Sequence, residues 1–154
     1  MNLTIKNANL HDVDKIYDII KQEAQRNLLL VRTKDEIAAE IRTFKLAEND
    51  NKTVGCSSLY IWNRKWAEIR SLAVVQSARM TGVGGELVKS LIYDAKLLGL
   101  KQVFALTYQV DFFIKQGFYL IEFSKIPDKK IWDYCARCPL LSCCNEKAML
   151  RDLY

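Results

Sequence analysis

The stretch Arg79-Met-Thr-Gly82-Val-Gly84-Gly85 lies between an apolar run, Ile69 to Val75, and an apolar-periodic run, Leu87 to Leu98. Strand, glycine-rich turn and helix in that order form a cradle for phosphate. The turn and the first helical turn leave backbone N–H groups all pointing one way, and the helix dipole adds partial positive charge there. Gly82, Gly84 and Gly85 let the chain approach an anion with no Cβ in between, and Arg79 can add a bidentate charge-assisted contact. A pyrophosphate fits that field.

Two better-known glycine patterns are excluded. The ATP-type loop needs Lys and then Ser or Thr after its last glycine, whereas Gly85 is followed by Glu86 and Leu87. The dinucleotide fingerprint wants spaced glycines in an early βαβ unit with an acid about twenty residues on, and this chain has neither the first glycine nor the placement. A helix that merely begins with glycines and is capped by Gly99 is the plainer alternative.

The elements that must position the turn are legible in the hydrophobic pattern. Leu3-Thr-Ile-Lys6 alternates as a first strand, and Val13, Ile16, Tyr17, Ile20 and Ala24 recur at helical spacing. Thr33-Lys-Asp-Glu36 reads as a capping box opening a second helix with Ile37, Ala38, Ile41, Phe44 and Leu46 on or near one side. Val54 to Trp62 and Trp66 to Val75 read as hairpin strands turning at Asn63-Arg-Lys65. Beyond the cradle, Val83, Leu87, Val88, Leu91, Ile92 and Ala95 form a buried stripe that Gly99 ends. A strand over Gln102 to Tyr108, a short helix over Asp111 to Gln116, a strand over Phe118 to Phe123 and a last strand over Ala148 to Leu153 complete the pattern. Hairpins first and alternation with helices later predict a mixed central β-sheet flanked by helices, α/β or α+β by class.

The 154 residues are expected to form one domain, and half of them are hydrophobic, enough for a real core. A net charge of +5, with lysines and arginines spread from Lys6 to Arg151, suits small anionic ligands and lacks the clustered basic face of a nucleic-acid binder. No signal-length apolar core opens the chain and nowhere do about eighteen apolar residues run together, so a cytoplasmic protein with no membrane partner is expected. His11, the only histidine, precedes the first helix, where capping or exposure accounts for it.

Cys135, Cys138, Cys143 and Cys144 crowd into a Cys-rich segment at 125–146. Cys135-x-x-Cys138 is the first half of a zinc-ribbon signature, without a second Cys-x-x-Cys pair at a loop's distance. Reduced thiols packing a C-terminal cap are favoured, a zinc site and a redox-sensitive disulfide stay open, and no metal is expected. Cys56, in a predicted inner strand, belongs to the core.

Arg79-x-x-Gly82-x-Gly84 after a strand resembles the GNAT family of N-acetyltransferases, which holds the pyrophosphate of acetyl-coenzyme A this way; the element order is similar along nearly the whole chain. Four phrases carry a narrower likeness: Leu29-Leu-Val-Arg32; Ala67-Glu-Ile-Arg-Ser-Leu-Ala-Val74; Leu106-Thr-Tyr-Gln109 with Phe112-Phe113 and Gly117-Phe118; and Lys130-Ile-Trp132 with Cys135-x-x-Cys138-Pro139. They resemble the short, single-domain N-acetylglutamate synthases, the amino-acid acetyltransferases of arginine biosynthesis. Long members of that class carry an amino-acid-kinase domain ahead of the transferase, and none is expected within this chain.

The resemblance implies acetyl-CoA as the acetyl donor, bound in a cleft where strands 4 and 5 splay apart. It assigns pantetheine and acetyl contacts to Leu72, Ala73 and Val74, and pyrophosphate contacts to Arg79, Thr81, Gly82, Val83, Gly84 and Gly85. Unpaired N–H and C=O groups on a strand edge supply the physical reason, being a template for any extended amide. The implied reaction is acetyl transfer to the α-amine of L-glutamate by direct attack in a ternary complex. Another amino acid or a protein N-terminus as acceptor, or a metal-binding interaction module in place of an enzyme, are the alternatives; a homodimer is left open.

A dicarboxylate acceptor taken out of water requires positive partners. Arg32, in the loop that would roof the acceptor pocket, Arg70, on the strand beside the thioester, and Lys130 are the candidates. Arg70 lies in an otherwise apolar strand and needs either a ligand or a nearby acid such as Glu68 or Glu122. The attacking amine must lose a proton, and Glu68 is the carboxylate that the resemblance offers as base. The Val74 N–H would hold the oxyanion. Many family members use a tyrosine from the helix before Gly-Phe; here that position is Phe113, so Tyr108 becomes the candidate donor to the departing thiolate.

Overall fold

A computed structural model describes residues 2–25, 32–127 and 146–154. Strand β1 (Leu3–Asn7) leads to helices α1 (Val13–Gln25) and α2 (Lys34–Ala39), then to strands β2 (Phe44–Asn49), β3 (Lys52–Ile61) and β4 (Trp66–Val74). Helix α3 (Val83–Leu98), β5 (Gln102–Thr107), α4 (Val110–Lys115), β6 (Tyr119–Ile121) and β7 (Lys147–Asp152) follow. The seven strands form one sheet in the order β1-β2-β3-β4-β5-β7-β6, antiparallel throughout except between β4 and β5. The expected mixed sheet flanked by helices is therefore present.

The strand expected over Phe118 to Phe123 is confined to Tyr119–Ile121, and the second expected helix is too long. Helix α2 stops at Ala39, and Phe44 and Leu46, which the sequence pattern placed on it, lie on β2. Phe44, Leu46 and their neighbours fit a period of two as well as a helical one, and pairing with β1 on one side and β3 on the other decides the matter. Only half of the expected capping box forms: the Thr33 hydroxyl accepts from the Glu36 N–H at 3.1 Å and donates to the Glu36 carboxylate at 3.3 Å.

The sheet separates two hydrophobic layers. On one face, Ile16, Ile19 and Ile20 of α1 and Ile37 of α2 pack with Phe44, Leu46, Cys56 and Ala73. On the other, Val88, Leu91, Ile92 and Ala95 of α3 pack with Leu59, Ala67, Ile69, Val103 and Phe113. Ala67 and Ile69 thus face α3, whereas Ala73, of the same odd parity on the same strand, faces α1. A bulge causes the switch. Gly55 pairs with Val74 and Cys56 with Ala73, but Ser58 pairs with Arg70, so that Ser57 alone opposes both Ser71 and Leu72. Ser71 takes a left-handed backbone, with φ +55°. An extra residue in one strand exchanges the two faces beyond it and sharpens the local twist.

Cys56 is fully buried beside this bulge, its thiol donating weakly to the Ser71 carbonyl at 3.5 Å. Burial pushes its pKa up from 9.0 to about 12. Alkylation at pH 8 followed by peptide mass mapping should leave Cys56 unmodified in the folded protein and label it in urea. Because the unfolded thiol ionises above its ordinary value of 9.0 while the folded one stays protonated, the folded state should lose stability as pH rises beyond that point.

Candidate active site

The glycine turn and the helix start form where the sequence placed them. Gly82 is the N-cap of α3 with φ +90°, and no side chain caps the helix. The first N–H groups of α3, those of Val83, Gly84 and Gly85, consequently have no intrahelical acceptors, the arrangement that an incoming anion would need. Thr81 turns its hydroxyl inward to the Ala78 carbonyl. The guanidinium of Arg79 pairs with Glu23 of α1 and donates through Nε to the Val74 carbonyl at 3.3 Å. Arg79 therefore ties the end of β4 to α1 as well as flanking the cradle.

Gly84 and Gly85 carry a second duty that the sequence did not suggest. A Cβ on Gly84 would lie 3.3 Å from the Phe112 ring, and one on Gly85 would lie 3.1 Å from the Gln116 amide nitrogen. Their bare Cα atoms let the α4 region lie against the start of α3. Phe113, the residue standing where a tyrosine was looked for, is buried and packs edge-on against Phe112 and Phe118 at 5.0 and 5.1 Å. Tyr108 follows β5 and is exposed.

Between the cradle and the sheet lies a V. Strands β4 and β5 pair through Trp66–Gln102, Ala67–Val103 and Glu68–Phe104, and their pairing ends there. Beyond that point β5 stays with β7 along its whole length, while β4 enters its bulge and leaves. Leu72 completes the bulge and Ala73 and Val74 follow it; Leu72 and Val74 turn half-buried side chains towards the α3 layer, and Ala73 is buried in the α1 layer. The bulge is pinned from β3, where the buried hydroxyls of Ser57 and Ser58 donate to the Arg70 carbonyl at 3.0 and 3.3 Å.

Charge gathers on one face of β4 just before the bulge. Glu68 and Arg70, two residues apart, share that face. They are 3% and 6% exposed, and Arg32 is 5% exposed. Trp62 donates its indole N–H to Glu68 at 3.0 Å, and the Arg70 guanidinium stacks 4.0 Å from the centre of the Tyr60 ring. Glu40, at the C-cap of α2, joins the two arginines: one carboxylate oxygen meets Arg70 and the other meets Arg32 at 2.8 Å. Arg70 thus finds an acid in a residue thirty positions away that the sequence pattern did not single out. The sequence pattern equally gives no signal for Tyr60 and Trp62, although Tyr60 alternates with Ser58 on β3 and Trp62 continues that spacing just past its end.

Lys130 and the four cysteines Cys135, Cys138, Cys143 and Cys144 lie outside the described residues. Among the described residues no group of His, Cys, Asp and Glu could hold a metal ion, and no helix is long and apolar enough to cross a membrane. The site's own chemistry is a helix start open to an anion, a cleft between splayed strands, and buried charges of both signs beside it.

Known proteins are similar to this chain in sequence and in fold. Residues 10–120 match the profile of the Acetyltransferase (GNAT) family. An uncharacterized N-acetyltransferase of Chlorobaculum tepidum is 35% identical over 149 residues, spanning 97% of this chain and 96% of that protein. An amino-acid acetyltransferase of Buchnera aphidicola is 31% identical over 154 residues, which cover 97% of this chain but 33% of the relative, so the chain spans about a third of that enzyme's length. Among solved structures, the N-acetylglutamate synthase of Neisseria gonorrhoeae complexed with coenzyme A and N-acetyl-glutamate superposes with a TM-score of 0.89 at 25% identity. That match covers 100% of this chain and 36% of the synthase chain.

Replacing Ser57 and Ser58 together by Ala removes both hydroxyl donors to the Arg70 carbonyl. The double variant should lose about 2 kcal/mol in urea unfolding, and each single variant less, since one hydroxyl still satisfies that oxygen.

Proposed function

The chain belongs to the GNAT acetyltransferase family, and from that premise we propose that it transfers the acetyl group of acetyl-CoA to the α-amine of L-glutamate, the first step of arginine biosynthesis. The observation that carries the choice of acceptor is the pair of buried guanidiniums, Arg32 and Arg70, converging on a single carboxylate beside Glu68. A site that already seats a carboxylate between two arginines is chemically suited to an amino acid with acidic groups. The likeness to an amino-acid acetyltransferase and to an N-acetylglutamate synthase supports the same reading.

In this proposal the helix start at Val83, Gly84 and Gly85, with Gly82, Thr81 and Arg79, holds the donor's pyrophosphate. Leu72, Ala73 and Val74 run beside its pantetheine arm in the cleft that opens beyond the Glu68–Phe104 pair. Arg32 and Arg70 hold the acceptor's carboxylates, with Lys130 as a third candidate. The amine attacks the thioester carbonyl directly: the new C–N bond forms, the C–S bond breaks, and coenzyme A leaves as a thiolate. An amine whose pKa lies about two units above ambient pH must first give up a proton, at roughly 2.7 kcal/mol, and Glu68 accepts it directly or through water. The indole hydrogen bond from Trp62 fixes the orientation of Glu68 for that task. The Val74 N–H supports the oxyanion, and the Tyr108 hydroxyl protonates the thiolate.

Thiol release from acetyl-CoA, measured against a panel of amino acids and polyamines, should show glutamate as the preferred acceptor. Turnover with another amine but not with glutamate would leave acetyl transfer and overturn the acceptor. Removing one charged partner from a buried carboxylate clamp costs about 2–5 kcal/mol, so Arg32→Ala should raise KM for glutamate at least about tenfold; an unaltered KM would move the acceptor away from Arg32. For the base, general catalysis is worth about a hundredfold or more. Glu68→Gln should therefore lower kcat by that order near neutral pH, with a deficit that shrinks as pH rises and the amine deprotonates on its own.

A further inference from the structure

Arg79 and Thr81, the polar side chains of the turn before α3, are already engaged within the protein: the guanidinium pairs with Glu23, and the hydroxyl bonds to the Ala78 carbonyl. A different element brings another polar side chain to the helix start. Gln116, at the C-cap of α4, lays its carboxamide on the bare Cα of Gly85. A Cβ on Gly85 would stand 3.1 Å from the amide nitrogen, 3.7 Å from the amide carbon and 3.8 Å from the amide oxygen, so the nitrogen is nearest.

The backbone of Gln116 is fixed on both sides. Its N–H donates to the carbonyls of Phe112 and Phe113 at 3.2 and 3.0 Å, and its own carbonyl accepts from Nη1 of Arg151, on β7, at 2.7 Å. The side chain is different: it is half-buried and makes no hydrogen bond among the described residues. A carboxamide nitrogen carries two N–H donors, and here both are left for solvent or for a ligand. Gly85 is also the last residue at the start of α3 whose N–H lacks an acceptor in the helix, because the Glu86 N–H already bonds to the Gly82 carbonyl at 3.1 Å. The amide and the Gly85 N–H therefore belong to one patch of donors. A neutral donor suits that place, since it adds a hydrogen bond to a charged acceptor without the desolvation cost of a further cation.

Resting on the reading of this helix start as the seat of the pyrophosphate of acetyl-CoA, we propose that Gln116 is a further residue binding that pyrophosphate. Its side-chain amide hydrogen-bonds a phosphate oxygen alongside the N–H groups of Val83, Gly84 and Gly85, and α4 thereby becomes part of the binding site. Packing on Gly85 is a separate task of the same side chain, and isosteres tell the two apart.

The test is calorimetric titration of native protein, Gln116→Met, Gln116→Ala and Gln116→Glu with coenzyme A, with urea unfolding to show that each variant is folded. Methionine keeps the length and packing of glutamine without the amide. Affinity should therefore fall about tenfold in Gln116→Met as well as in Gln116→Ala, the loss of a hydrogen bond to a charged acceptor. Gln116→Glu keeps the shape but turns a negative charge towards the phosphates, and should bind most weakly of all. Native affinity in Gln116→Met would make the residue a spacer for Gly85 and overturn this inference alone, leaving the reading of the helix start intact. An affinity of Gln116→Glu equal to or above that of Gln116→Met would overturn it as well. Native protein that binds no coenzyme A would overturn the inference and the reading together.

Discussion

The carbonyl of Arg70, held by two buried serine hydroxyls, is the point on which the site turns. It marks where β4 carries one residue more than β3, and the extra residue has three effects at once. It reverses the faces of the strand, so that Ala73 joins the α1 layer, on the face of Glu68 and Arg70, instead of following Ala67 and Ile69 into the α3 layer. It adds twist just where β4 parts from β5, opening the cleft. It also holds Ser71 in a backbone conformation that a serine rarely adopts, a local strain that the surrounding pairing and the serine hydrogen bonds sustain.

A second regularity runs through the charges. Arg79 is paired with Glu23 near the helix start, and Arg32 and Arg70 are paired with Glu40 in the region proposed for the acceptor. Each arginine assigned to a substrate anion already rests on a carboxylate of the protein. A guanidinium left alone in the interior would carry a desolvation cost of several kcal/mol, whereas one that exchanges an internal carboxylate for an external anion meets a much smaller change. The arrangement keeps both subsites folded and charged before any ligand arrives.

The cradle was legible because its signal is local: glycines after an apolar run and before a helical stripe constrain the backbone whatever lies around them. The buried stripes of α1 and α3 were legible for the same reason, since a 3.6-residue period is written in consecutive residues. The start of β2 was not, because Phe44 and Leu46 satisfy two periods and only pairing with distant strands chooses between them. The bulge was hidden for a sharper reason: Ser71 is not a glycine, so nothing in its identity announces a left-handed backbone. Glu40 was hidden too, since a glutamate ending a short helix looks like any solvated residue until Arg70 is folded against it. Arg32 and Arg70 could be picked out by type and context, but their shared partner could not.

The order of strands has a bearing on how the chain comes into being. The seventh strand, β7, is inserted between β5 and the earlier β6 and pairs with β5 along all six residues. One wall of the donor cleft therefore lacks its lateral support until Asp152 has emerged from the ribosome. Contacts of such long sequence separation close late. Ribosome-bound chains can build the β1–β4 meander and its α1 layer before β7 is made, but the two-walled cleft must wait for β7.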